Sequence, residues 1–246
     1  MKLLLVTSTI TYTPKNYEDV LGEVINYLGK QIVGVVLVNI DASNVLRKAA
    51  FLHSAGCTKM ARTLMQNLAR EDRNEKINLI RSFNLPYLLT RNVNNQETIS
   101  WIKKEQPDLV FNIRARDIYR KEMLEISKLG CVNIHHGLLP RQRGLFCDLR
   151  ALANDEETGF TIHRMTDKVD QGEIFIKIKN KSNPDYVTYL AESAKKESRE
   201  IIRFIEKVGA TEELPLGTSS MCNKPINSTT PSLEVIRNYQ KRGLIL

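Results

Sequence analysis

The amino-acid sequence predicts an α/β protein built on a mostly parallel mixed sheet flanked by helices, with a short C-terminal extension. Three observations carry that prediction. Short apolar runs alternate with stretches of helical period along the first half of the chain, which is the βαβ pattern. After Pro140 the pattern changes to two runs that alternate apolar with polar residues, as a half-exposed antiparallel pair does. The 246 residues suffice to bury one sizeable core.

Leu3 to Val6 opens the chain as a buried strand. Tyr17 to Leu28 repeats apolar residues at helical spacing and ends at Gly29, a natural C-cap. Ile32 to Val38 is the second strand, and Lys59 to Ile80, long, polar and basic, reads as one surface helix or two. Leu85 to Leu89, Leu109 to Ile113 and Val132 to Ile134 are further strands, with a helix from Thr98 to Lys104 that stops before Pro107. Cys147 to Ala153 is a short helix, and Gly159 to Met165 with Glu173 to Lys179 forms the antiparallel pair. Asn183-Pro184-Asp185 opens an amphipathic helix that buries Ile201, Ile202, Phe204 and Ile205 and is closed by Gly209. A last helix, Ser232 to Arg242, lies in a tail otherwise rich in Pro, Ser and Thr. The expected division is a main domain over residues 1–208 and an extension over 209–246.

Composition narrows the function classes. The formal charge of +8 serves an anionic partner, a phosphorylated metabolite or a nucleic acid, or else is a generic basic surface. A nucleic-acid interface needs basic residues interleaved with aromatics, which the single Trp101 and scattered tyrosines do not supply, so that partner is the less favoured one. No apolar run is long enough to cross a bilayer, and Met1 to Val6 is too short for a signal peptide; a cytoplasmic protein without membrane contact is expected. The 4 cysteines show no CxxC spacing and read as free thiols. Neither GxGxxG nor a P-loop follows the first strand at Thr7-Ser8-Thr9-Ile10-Thr11.

The chemistry-bearing residues gather around the strand that ends in Asn133-Ile134-His135-His136-Gly137-Leu138-Leu139-Pro140. Asn133 and His135 are two apart and share one face at a strand's carboxyl end, where open α/β sheets bind their ligands. Asn133 carries an amide that either holds an oxyanion or ties down the turn. His135 is a proton carrier near neutral pH or a structural imidazole. Asp170, in the turn Thr166 to Gly172, either approaches His135 or caps its own loop. His135 and His136 point to opposite faces, so a shared metal with His163 is not expected. Arg141, Arg143 and Arg150 either grip an anionic substrate or are solvated. Ile113-Arg114-Ala115-Arg116 ends the neighbouring strand and lines the same cleft.

Asn133-x-His135 with Gly137-Leu138-Leu139-Pro140, Arg143-Gly144, Gly159-x-Thr161-Ile162-His163 and Asp170-x-Gly172-Glu173-Ile174 together resemble the catalytic domain of the 10-formyltetrahydrofolate-dependent formyltransferases. The match in motif order covers roughly residues 105–208, and several motifs in register are far more specific than one. The resemblance implies a Rossmann-like formyltransferase fold and transfer of a formyl group from 10-formyltetrahydrofolate, the donor, to a primary amine without a covalent enzyme intermediate. It implies that Asn133 and His135 stabilise the oxyanion while Asp170 helps move the proton. It places the folate pterin against Ile113, Arg114, Ala115, Arg116, Ile118, Leu139, Thr166 and Val169.

A small catalytic domain with a short tail is similar in outline to the sugar-nucleotide N-formyltransferases, which implies an anionic small-molecule acceptor. A methionyl-tRNA formyltransferase-like enzyme or a formyltetrahydrofolate hydrolase is the alternative. Apolar residues in the tail point to a homodimer. The chain departs from the family pattern at Gly137, where Ser is common, and at Arg114 and Arg116, where small or apolar residues are usual.

Overall fold

In the computed structural model, which describes residues 1–246, strand β1 (Leu3–Ser8) is buried at every position because helices cover both of its faces. Leu3 and Leu5 pack with α1 (Glu18–Leu28), and Leu4 and Val6 join the opposite layer. β2 (Ile32–Val38) repeats the alternation, with Val35 and Leu37 on the first side and Val36 and Val38 on the second. Then follow α2 (Ala42–Ser54), α3 (Thr58–Asp72), α4 (Glu75–Ser82), β3 (Tyr87–Thr90), α5 (Gln96–Glu105) and β4 (Leu109–Ile113). The second half runs α6 (Lys121–Leu124), β5 (Cys131–His135), β6 (Gln142–Gly144), α7 (Cys147–Ala153), β7 (Thr158–Arg164), β8 (Ile174–Asn180), α8 (Tyr186–Thr211), β9 (Ile226–Ser228) and α9 (Leu233–Lys241).

The main sheet has 7 strands in the order β3-β2-β1-β4-β5-β7-β8. β3 through β5 are parallel, and β7 and β8 add the antiparallel pair. The chain builds outward from β1 to β3 and then returns to place β4 on the other side of β1. That reversal is a topological switch point, and the crevice beyond the carboxyl ends of β1, β4 and β5 opens there.

Two differences from the sequence reading, an added α2 and a later end to α8, and the choice of two helices over one for the basic stretch, have identifiable causes. α2 carries the buried residues Val45, Ala49 and Leu52 and an N-cap at Asp41, which accepts from the Ser43 amide. The long basic stretch divides where Asn74 takes a left-handed conformation, φ 55°. Gly209 does not close α8; the helix continues to Thr211, and Glu212 adopts the left-handed cap with φ 55°. A glycine ends a helix only when it takes that conformation, and inside one it costs about 1 kcal/mol.

Residues 209–246 are stitched back onto the rest. β9 pairs in parallel with β6, directly after the Asn133 strand. Gly144, φ 85°, must be glycine here, because a Cβ would lie 2.2 Å from the Ser228 carbonyl oxygen. The Tyr186 amide donates to the Ile245 carbonyl at 3.0 Å, and Leu244 and Leu246 are buried against α2 and α3.

Candidate active site

β4, β5 and β7 lie side by side, and their register brings Asn112, Asn133 and His163 into one row. Residues directly opposite on neighbouring strands have side chains in contact distance. The Asn112 amide nitrogen donates to Asn133 Oδ1 at 2.9 Å, and Asn133 Nδ2 donates to His163 Nε2 at 3.1 Å. His163 Nδ1 in turn donates to the Arg164 carbonyl at 2.8 Å, which leaves Nε2 as an acceptor. Asn112 is tied to the following loop by both of its amide atoms, which bond the backbone of Ala115. The Asn133 carboxamide is therefore held at both ends, and its second N–H remains for the cleft.

His135, one step further along the strand, is 7% exposed. Its Nε2 lies 2.8 Å from the Gln142 carbonyl and so carries the hydrogen, while Nδ1 faces Asp170 Oδ1 at 3.4 Å. Asp170 sits in a left-handed turn, φ 55°, and its Oδ2 accepts the Gly144 amide at 2.8 Å. Gly172 lets that turn close, since a Cβ there would stand 1.8 Å from the Arg164 carbonyl oxygen. Thr161, paired with His135 across the strands, donates to the Gly137 carbonyl and accepts the Leu139 amide, locking the turn after the histidines.

The cleft has a volume of about 370 Å³ and is lined by Asn133, His135 and Asp170 together with Arg114, Ala115, Arg116, Ile118, Thr166 and Val169. Other predicted residues lie elsewhere. Ile113 faces the apolar core, because alternate strand positions point away from the cleft, and Leu139 is buried in the turn that follows β5. Arg143 is buried and spends its guanidinium on the carbonyls of Pro140 and Ser220, anchoring the tail. Arg150 forms a bidentate pair with Glu156 at 2.8 and 2.7 Å. Arg141 is exposed outside the cleft, its carbonyl accepting from β9. The cleft's cations are instead Arg114, Arg116 and Lys168.

His136 also lines the cleft but is held by different partners from those of His135. Its Nε2 is 2.7 Å from Glu197 Oε1 and its Nδ1 is 3.4 Å from Asp148 Oδ2. Burial and Arg114 pull the imidazole pKa down, but the two carboxylates outweigh them and raise it. Burial also opposes charge on Glu197, yet His136, Arg114 and Ser193 hold its pKa at about 2. The Tyr17 hydroxyl also donates to Glu197. This charged cluster escaped the sequence reading because Glu197 is 61 residues from His136. Asn112 left a visible signal, a lone amide inside the apolar run Leu109 to Ile113.

No group of three His, Cys, Asp or Glu side chains is arranged to hold a metal ion. His163 is depressed to about 4, first by burial and then by the neighbouring His135. The unfolded chain takes up this proton near the ordinary value of 6.5 and the folded chain only near 4, so acid favours unfolding across that window. His163→Gln is therefore expected to flatten the fall in Tm between about pH 6.5 and 4 relative to the wild type, measured by calorimetric melts. Parallel curves would show that this histidine is not held neutral.

The family model described as Formyl transferase matches residues 21–203. A stretch of 102 residues is 40% identical to the bifunctional polymyxin resistance protein ArnA of Wigglesworthia glossinidia brevipalpis, covering 39% of this chain and 16% of that protein. A stretch of 135 residues is 30% identical to methionyl-tRNA formyltransferase of Kosmotoga olearia, covering 54% of this chain and 43% of the relative. The chain thus spans less than half the length of either relative in its matched region.

Among solved structures, phosphoribosylglycinamide formyltransferase of Anaplasma phagocytophilum superposes with TM-score 0.63 at 14% identity, over 92% of this chain and 96% of that one. A sugar N-formyltransferase from Shewanella superposes with TM-score 0.58 at 15% identity, over 93% and 76%. These structural likenesses establish the Rossmann-like formyltransferase fold. With the family model matching most of its length, the chain belongs to the formyl transferase family.

Proposed function

We propose that this protein transfers a formyl group from 10-formyltetrahydrofolate to a primary amine, and that the amine is carried by an amino-sugar nucleotide. The observation that carries the reading is the row Asn112–Asn133–His163 set beside the His135–Asp170 pair. It leaves one amide N–H and one imidazole–carboxylate couple at the same cleft. The surroundings fit a folate ring: Ile118 and Val169 are 64% and 53% exposed at the cleft, apolar surface that a flat ring would cover, beside the backbone of Ala115 and Thr166. The donor supplies a formyl carbonyl and an arylamine leaving group when bound.

The chain's own residues then divide the work. The free N–H of Asn133 is fixed in advance where negative charge grows on a carbonyl oxygen, which lowers the barrier without reorganisation. His135, pinned at Nε2 by Gln142, presents Nδ1 as the nitrogen that donates or exchanges a proton. Asp170, fixed by the Gly144 amide, is placed to take the proton lost by the attacking amine, directly or through His135. Arg114 and Arg116 supply charge for the diphosphate of the acceptor. The amino-sugar acceptor is supported by the likeness to sugar N-formyltransferases and by these cleft arginines.

The test is incubation with 10-formyltetrahydrofolate and a panel comprising amino-sugar nucleotides, glycinamide ribonucleotide, charged methionyl-tRNA and water alone. Formylation of an amino-sugar nucleotide supports the reading. Exclusive formylation of the tRNA or ribonucleotide, or formate release without an acceptor, overturns the acceptor assignment, and no deformylation at all overturns the donor.

Gly137 yields a further expectation. A Cβ there would lie 2.6 Å from Cys147 Sγ, 2.7 Å from His135 Nε2 and 2.8 Å from the Gln142 carbonyl oxygen. The turn that commonly carries Ser in the family has closed around glycine in this chain. Gly137→Ser is expected to push His135 off the Gln142 carbonyl and lower kcat at least tenfold, an order of magnitude drawn from the sensitivity of oriented catalytic groups to small displacements. Unchanged kcat in a stopped-flow assay would show that the turn relaxes without moving the imidazole.

A further inference from the structure

Four buried polar atoms on residues lining this cleft have no hydrogen-bond partner; besides His136 Nε2, which is ion-paired with Glu197, and the Tyr119 hydroxyl, there are two. One is Oδ2 of Asp148, a residue 2% exposed; the other is Oγ1 of Thr11, 5% exposed. Leaving such atoms unmet costs about 1–3 kcal/mol each and more for a charged group, so native structures seldom carry them without a use. Both are rigidly held. Asp148 Oδ1 accepts the Tyr186 hydroxyl at 3.0 Å and the Leu149 amide at 2.8 Å, so only Oδ2 is left over. Thr11 is clamped through its backbone, its amide bonded to Asn16 Oδ1 and its carbonyl to Asn67 Nδ2, each at 2.8 Å.

His136, which lines the same cleft, is paired with Glu197 and stands with its Nδ1 3.4 Å from Asp148 Oδ2. That distance is long for a hydrogen bond, so Asp148 Oδ2 keeps the electrostatic attraction of the His136 ring but receives no donor hydrogen inside the protein.

The chemistry of these two atoms selects their guest. A carboxylate oxygen only accepts, and a threonine hydroxyl both donates and accepts, so the guest must bring at least one O–H or N–H donor and a second polar group. A phosphate set against the free oxygen of Asp148 would meet like charge, and the nearby Glu197 carboxylate adds to the repulsion. Anion recognition in this cleft falls instead to Arg114, whose guanidinium reaches the Thr13 hydroxyl, and to Arg116, which lies over the Tyr12 ring.

We infer that the recess formed by Thr11, His136, Asp148 and Tyr186 seats a hydroxyl- or amine-bearing sugar ring of the acceptor, with Asp148 and Thr11 as the residues that select it. This rests on the amino-sugar reading above and assigns which side chains read the sugar, as distinct from the nucleotide diphosphate.

The experiment compares calorimetric binding of three probes to the wild-type protein and to Asp148→Asn and Thr11→Val. The probes are a set of uridine and deoxythymidine diphosphate amino-sugars, the parent nucleoside diphosphates without sugar, and 5-formyltetrahydrofolate as a stable form of the donor. In Asp148→Asn the Kd for the amino-sugar nucleotide is expected to rise about 10- to 100-fold, as for loss of a hydrogen bond to a charged group. The Kd values for nucleoside diphosphate and folate should stay within a factor of three. Thr11→Val should raise the same Kd by a smaller factor, and the KM for the acceptor should follow it with kcat much less affected.

An equal loss for the sugar nucleotide and its parent diphosphate would show that the recess reads phosphate, and overturns the inference. So does unchanged affinity in both variants, and so does a wild-type protein that binds folate but none of the amino-sugar nucleotides. Failure to bind folate as well would take the proposed function with it, which separates the two failures. Should either variant melt early, deoxy analogues of the best probe, titrated into wild-type protein, decide the matter instead. Weaker binding of at least one analogue supports the recess as the sugar subsite, and binding of all of them as tight as the parent probe overturns it.

Discussion

Asn133→Ala is expected to lower kcat/KM for formyl transfer by about 10²- to 10³-fold, the loss that follows removal of one preorganised oxyanion donor. The physical case lies in how little freedom the side chain has. Asn112 holds its carbonyl and His163 holds one of its N–H groups, so the second N–H is aimed before any ligand arrives. Truncation removes that donor and strands two partners in the row, the Asn112 amide nitrogen and His163 Nε2, at a cost of about 1–3 kcal/mol in stability. Activity and Tm must therefore be read together. A variant that stays folded and retains more than a tenth of wild-type kcat/KM would show that the amide is only structural.

Asp170→Asn is the second large effect. The amide oxygen can still accept the Gly144 N–H, so the loop should stay in place while the negative charge beside His135 Nδ1 is lost. General-base catalysis contributes about 10²- to 10⁴-fold, and kcat is expected to fall by an amount in that range with 5-formyltetrahydrofolate binding unchanged. Steady-state kinetics with the best acceptor, alongside calorimetric folate binding, measures both. If kcat holds while folate affinity collapses, Asp170 serves the donor pocket and the proton goes elsewhere.

The sequence revealed most where the relevant contacts are local. Leu3 to Val6 and Ile32 to Val38 read as buried strands because near-continuous apolar runs have few alternatives, and the antiparallel pair after Pro140 was visible in its period of two. α2 went unread, although Asp41 as N-cap and Val45, Ala49 and Leu52 on one face were there to find, because its polar surroundings hid the stripe. Asn133 and His135 lie two apart on one strand, so their shared face followed from geometry alone.

Arginines show the limit. Arg143 and Arg150 stood next to the motif in sequence, yet one is consumed by the carbonyls of Pro140 and Ser220 and the other by Glu156. Arg114 and Arg116, read as cleft-lining departures from the family pattern, do line the cleft. A guanidinium goes to whichever acceptor the folded chain brings within reach, and for Arg143 that includes a residue 77 positions away.

The alternation of side chains along a strand is set by covalent geometry, so the amino-acid order already contained the sheet, its core faces and the pairing of Asn133 with His135 on one edge of a crevice. Which partners complete that edge depended on strand register and chain return: Asn112 and His163 in the row, Gly144 beneath Asp170, Glu197 and Asp148 around His136. Those contacts join segments tens of residues apart, and their energies exist only once hydrophobic burial has closed the intervening loops and excluded water from between the charges.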